Sequence, residues 1–131
     1  MCDFGIPHPR FPVAIQNYRD LIVWQKSMDL TTAVYRLAGS FPANERFGLT
    51  SQMQRSAVSV PTNIAEGHER HSRGDFRRHV SIASGSLAEL ETHLEIATRL
   101  GYLAPGATDE PRLLTVEVGR MLSTLLRRLR T

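Results

Sequence analysis

Cysteine is almost missing from this chain. Cys2 stands alone among 131 residues and cannot close an internal disulfide. A single thiol fits a reducing compartment. Aromatics are sparse at 7%, with one tryptophan, and there are four methionines. A core must therefore come mainly from Leu, Ile, Val and Ala. Lysine is nearly absent as well: Lys26 is the single one, and every other basic residue is an arginine. No apolar run approaches the roughly 20 residues that cross a bilayer. No charged start followed by an apolar stretch marks a signal peptide. The expectation is a cytoplasmic protein without membrane contact. At this length, one domain with one core is expected.

Catalytic patterns are equally scarce. A di-iron site in a helical bundle needs Glu three residues before His, and no histidine here has one. Glu89 and His93 are four apart and could share a metal on one helix face; an exposed helical pair is the simpler reading. His68-Glu69-Arg70-His71 is one helical step too short to place both histidines on one face, as zinc proteases require. Ser84-Gly85-Ser86 falls inside a helical pattern rather than on a strand-to-helix turn. There is no phosphate-cradling glycine loop, and Cys2 has no partner nearby in sequence. No catalytic residue, metal or cofactor is assigned, and a non-enzymatic protein is expected.

Helical periodicity fills the space these absences leave. Residues 1–19 hold Pro7, Pro9 and Pro12 without a period and read as an extended N-terminal arm. Residues 20–131 read as the bundle domain. Asp20 is placed as the N-cap of a first helix from about Leu21 to Ala38, stopped by Gly39. Val23, Leu30, Val34 and Leu37 form its main face, and Trp24, Met28 and Tyr35 widen it, which suggests cover on two sides. A second helix runs from near Asn44 to Gly67, with Pro61 inside it. Proline removes the hydrogen bond to the Ala57 carbonyl, so a kink is expected there. A third helix runs from Gly74 or Asp75 to Leu100. Phe76, Val80, Ala83, Leu87, Leu90, Leu94 and Ala97 alternate steps of four and three along it. Gly85 sits in its interior, where glycine is costly, and suggests close approach of another backbone. A fourth helix begins after Thr108 or Asp109 and carries Leu114, Val118, Met121, Leu125 and Leu129. Four amphipathic segments with short links and no strand alternation give an all-α chain, arranged as an antiparallel up-down-up-down four-helix bundle.

The second helix has two stripes. Leu49, Met53, Ala57, Val60 and Ile64 are apolar; Gln52, Arg55, Ser59, Asn63, Glu66 and Arg70 are polar. The rows sit about 120° apart at helical spacing. The polar row is either a solvated face with a Glu66–Arg70 pair or a hydrogen-bonded network or subunit interface formed by Gln52, Arg55, Ser59, Asn63 and Glu66. The small residues Ser56, Ala57, Ala65 and Gly67 around it favour close packing.

Up-down topology also sorts the charges. The segment from His68 to His79 has Arg70, Arg73, Arg77 and Arg78 against Glu69 and Asp75. The last turns of the fourth helix add Arg127, Arg128 and Arg130 at the same end. Residues 80–98 hold Glu89, Glu91 and Glu95 and no Lys or Arg. Arginines at a helix C-terminus complement its dipole, but Arg77 and Arg78 near a helix start do not. Those two are either solvated, or in an intersubunit contact, or facing an anionic partner. Without a base-reading motif, RNA or DNA would be held by its backbone.

Three runs resemble a known family: DLIVWQKSMDL, FPANERFGLTSQMQRSAVSVPTNIAEGHER and SIASGSLAELETHLEIATRLGYL. They resemble the four-helix bundle proteins encoded in intervening sequences of bacterial large-subunit rRNA genes. Asn63 to Gly67, NIAEG, after Ser59-Val60-Pro61, is the most specific part, and Gly85-Ser86-Leu87 with Glu89 also resembles the pattern. The resemblance spans residues 20 to 103. It implies a four-helix protomer that assembles as a homopentamer. It further implies similarity to the accessory variability determinant of diversity-generating retroelements, whose members bind nucleic acid and a partner reverse transcriptase. Two functions follow as expectations. One is an oligomeric module that binds RNA or DNA through the arginine-rich end. The other is a protein-interaction or assembly scaffold without nucleic acid.

Overall fold

The computed structural model describes residues 17–130. Most of the arm expected over residues 1–19 lies outside the described residues. Four helices make up the fold: α1 (Ile22–Ala38), α2 (Leu49–Glu69), α3 (Arg73–Arg99) and α4 (Asp109–Arg128). No strand occurs among the described residues. In the packing, α1 neighbours α2 and α4, and α3 neighbours the same two, so the helices close a four-membered ring. The α2–α3 pairing is the most extensive. Across it Ser56 meets His93, Ser59 meets Ser86 and Asn63 meets His79, so numbers rise on one helix as they fall on the other.

The core follows from the apolar spacing. Val80, Ala83, Leu87, Leu90, Leu94 and Ala97 of α3 are all buried, as are Leu49, Met53, Ala57, Val60 and Ile64 of α2. On α4 Val118, Leu122 and Leu125 are fully buried, while Met121 is only packed against the core. Burying one such leucine contributes about 2 kcal/mol. Met28 and Tyr35 of α1 remain exposed, so the second side of that helix is not covered within the protomer.

The helix ends depart from the sequence expectation for local reasons. Asp20 does not cap α1. It closes a 3-10 turn over Tyr18–Asp20, in which Asn17 accepts from the Arg19 N–H and the Asp20 carboxylate accepts from the Asn17 N–H. The α2 helix begins at Leu49 rather than Asn44, because Ala43–Glu45 forms a 3-10 turn and Gly48 breaks the helical path. The Glu45 carboxylate then accepts from the Leu49 N–H at 3.1 Å, supplying the missing cap. Ser72 caps α3 by accepting from the Asp75 N–H. Between α2 and α3 the link is three residues long, and His71 turns it with φ of 56°.

α2 continues through Pro61, which is buried. Proline leaves the carbonyl four residues earlier, that of Ala57, without its helical donor. The hydroxyl of Thr31 on α1 lies 3.1 Å from that carbonyl and 2.8 Å from the Ser27 carbonyl of its own helix, so its one proton is shared between them. The lost backbone bond is thus replaced in part from the neighbouring helix.

Gly85 does not mark a close approach within the protomer. It is exposed, and a Cβ there would meet nothing within 4 Å. The close approach is at Gly67, where a Cβ would lie 2.5 Å from the Cβ of His79.

Candidate functional site

Helical phase puts half of the polar stripe of α2 on its seam with α3. Asn63 donates through Nδ2 to the Ser59 carbonyl at 2.9 Å and to the Ser59 hydroxyl at 3.0 Å. This fixes its amide orientation and leaves Oδ1 facing His79 Nδ1 at 3.0 Å. An amide oxygen can only accept, so Nδ1 carries the imidazole proton. His79 Nε2 is then the acceptor for the Arg78 guanidinium at 3.3 Å. Ser59 continues the chain to the Ser86 hydroxyl at 2.7 Å. His79 and Ser86 are both buried. Each polar atom in this chain has a partner, the condition under which buried polarity fixes a unique pairing rather than weakening it.

The remaining stripe residues are placed differently. Glu66 sits at the edge of the chain, 3.9 Å from His79 Nδ1, and pairs with Arg70 at 3.5 Å. Gln52 and Arg55 are exposed and rim a shallow cleft of about 340 Å³ shared with Ser56, Ser59, Glu89 and His93. In that cleft the Ser56 hydroxyl contacts His93 Nδ1 at 3.1 Å. Burial lowers the His93 pKa, and the Glu89 charge partly opposes the shift. His93 is therefore a half-buried seam residue rather than the exposed partner of Glu89.

The α2–α3 turn and the end of α4 meet at one place. The Arg73 guanidinium donates to the main-chain carbonyl of Arg128, one of the terminal carbonyls of α4 that lack a helical donor. Around this contact lie Arg70, Arg77, Arg78, Arg127 and Arg130, all exposed except Arg77, which is half-buried. Arg77 Nε is a buried donor with no acceptor among the described residues. Among the described residues Arg127 reaches the Thr124 hydroxyl, at 3.4 Å. Among the described residues Arg73, Arg77 and Arg78 make no ion pair. Nearby, Arg19 lies over the rings of Tyr18 and Trp24, 5.6 and 5.5 Å from their centroids.

At the other end two arginines are neutralised, while Arg36 and Arg46 make no ion pair among the described residues. Arg99 and Arg112 both reach the Glu95 carboxylate, at 3.0 and 3.4 Å. Their hydrogen bonds lower the pKa of Glu95, Arg99 having the larger effect. Close by, the Tyr102 hydroxyl donates to Glu45 at 2.7 Å, which lowers the Glu45 pKa and raises that of Tyr102.

Chemistry beyond hydrogen bonding and charge is limited here. Among the described residues no three His, Cys, Asp or Glu gather to hold a metal ion. Among the described residues no helix is long and apolar enough to cross a membrane. Ser56, His79, Ser86 and His93 are the seam residues that sequence spacing did not single out as its members. Gly67 did carry a signal: it falls three residues after Ile64, on the flank of the apolar stripe.

Comparison with curated proteins gives no match. Among solved structures, the fold is similar to a protein of unknown function from the S23 ribosomal protein family of Bacteroides thetaiotaomicron. The TM-score is 0.74 with 24% identity, over 80% of this chain and 98% of that one. A family model described as 23S rRNA-intervening sequence protein matches residues 19–124. The chain therefore belongs to the 23S rRNA-intervening sequence protein family.

Proposed function

We propose that this chain is a non-enzymatic binding module: an up-down-up-down bundle that holds the phosphate backbone of RNA or DNA at its arginine-rich end. The observation that carries this reading is the run of arginines at the start of α3 that make no ion pair among the described residues. Arg99 and Arg112 share Glu95 at one end, whereas Arg73, Arg77 and Arg78 have no acidic partner among the described residues. Phosphate would meet the exposed side chains of Arg73 and Arg78. It would also meet the positive end of the α3 dipole beside Ser72 and Arg73. Assembly into a homopentamer, as in the resemblance drawn from sequence, would repeat the arginine set around an axis and add weak contacts by multivalency. A mixed-sequence RNA and a mixed-sequence DNA should bind at low salt, with affinity falling steeply as salt rises. Replacing Arg73, Arg77 and Arg78 by Ala should weaken binding to all sequences alike and leave helicity unchanged. Absence of binding at low salt would sink the proposal.

A second reading has its own observation. Ile82 and Ile96 are exposed on α3, and Gly85 between them opens onto unfilled space. This face flanks the cleft of Gln52, Arg55 and His93, and it suits contact with another subunit or with a partner protein such as a reverse transcriptase. A scaffold role predicts a protein complex that survives nuclease treatment. Light scattering that shows a monomer would remove the oligomer from both readings.

A further inference from the structure

Where α1 packs on α2, the seam does not close. Tyr18, Trp24 and Met28 on one side, and Val58, Pro61 and Ala65 on the other, line an open groove of about 750 Å³. Met28 and Val58 are 41% and 40% exposed, so apolar surface is left to solvent in its middle. The chain enters the described region at Asn17, immediately before Tyr18, at one end of this groove. The reciprocal Asn17–Asp20 hydrogen bonds fix that point of entry.

The preceding sequence has the form such a groove would take. Pro7, Pro9 and Pro12 disfavour helix in this sequence and favour extended backbone at the residues before them. In an extended chain successive side chains alternate, which would put Phe11, Val13 and Ile15 on one face. The lengths agree as well. From Glu69 to Val58 the groove follows α2 for about 16 Å at helical rise. Residues 11–15 in extended form cover about 16 Å. We propose that the groove is the seat of the chain's own N-terminal segment, with Phe11, Val13 and Ile15 packed over Trp24, Met28 and Val58.

Trp24 is the chain's one tryptophan and lines the groove, so its fluorescence reports directly on occupancy. In the full-length protein, Phe11→Asp with Val13→Asp and Ile15→Asp should shift Trp24 emission to the red and raise its quenching by acrylamide. Far-UV circular dichroism should stay unchanged. Should helicity fall, Phe11→Ala with Ile15→Ala provides the same readout. Val58→Asp, at the groove's own wall, should give the same red shift. Emission and quenching unmoved by the segment variants would overturn the assignment. So would a Trp24 signal in the unmodified chain that changes with protein concentration, since a second copy would then be the occupant.

Discussion

The two long sides of α2 are built on different principles. Toward α3 the helix presents Ser56, Ser59, Asn63 and Gly67 and is joined by a chain of side-chain hydrogen bonds. Toward α1 it presents Val58, Pro61 and Ala65, and the described seam is crossed by the Thr31–Ala57 bond over an open groove. One seam fixes partner and depth with small residues and directional bonds. The other leaves apolar surface uncovered. A helix can thus commit one face to a unique pairing and keep the other for something not supplied by the four helices.

The largest test of this contrast sets two glycines against each other. Gly67→Ala would drive a Cβ to 2.5 Å from His79 Cβ, where both atoms are held by backbone. It should destabilise by about 3 kcal/mol, the upper part of the overpacking range. Gly85→Ala meets nothing within 4 Å and should stabilise by about 0.5–1 kcal/mol through helix propensity. Urea denaturation of both variants reads the difference. Equal effects would mean that the α2–α3 seam is no tighter than the open face of α3.

Next in size is Asn63→Ala, which strips the acceptor from His79 Nδ1 and a donor from Ser59. A loss of about 2 kcal/mol is expected for leaving buried polar groups unpaired. On the other seam, Thr31→Val keeps the shape but removes the donor to Ala57. Because the same hydroxyl also serves the Ser27 carbonyl, a loss of no more than about 1 kcal/mol is expected, the net worth of one hydrogen bond. An order of Thr31→Val above Asn63→Ala in chemical denaturation would reverse the contrast between the seams.

The smallest effect is one of pH. Burial lowers the His93 pKa below its ordinary 6.5, so the unfolded chain takes up the proton first as pH falls. Stability from this group is complete above about pH 6.5 and declines below it, levelling once the folded protein is protonated too. His93→Gln should flatten that part of the stability profile, measured by denaturation between pH 5 and 8.

Much of this is legible in the sequence alone. The three-and-four spacing from Val80 to Ala97 named the buried face of α3, because burial follows helical phase directly. Period alone did not separate Met121 from Leu122, since both lie within reach of the core and packing chose Leu122. It could not show that Ser59 meets Ser86 or that Asn63 meets His79. Those contacts depend on the vertical offset between two helices, which neither sequence carries by itself. The α2 start was misplaced because Asn44 and Glu45 look helical, whereas the dihedrals of Gly48 break the path. The arginines at the α2–α3 turn were visible as a run. Their contrast with the paired Arg99 and Arg112 required knowing which carboxylates stand nearby.

Pro61 has a consequence for how the chain finds its arrangement. A helix backbone is a repeating object, and sliding a neighbour by one turn, about 5.4 Å, presents the same carbonyls again. Proline ends that equivalence by leaving the Ala57 oxygen as a distinctive address on α2. Thr31 is the residue of α1 that reads it. A slipped packing would keep most apolar contacts yet lose this one. What looks in the sequence like an interruption of a helix thereby gives two otherwise slidable cylinders a zero point.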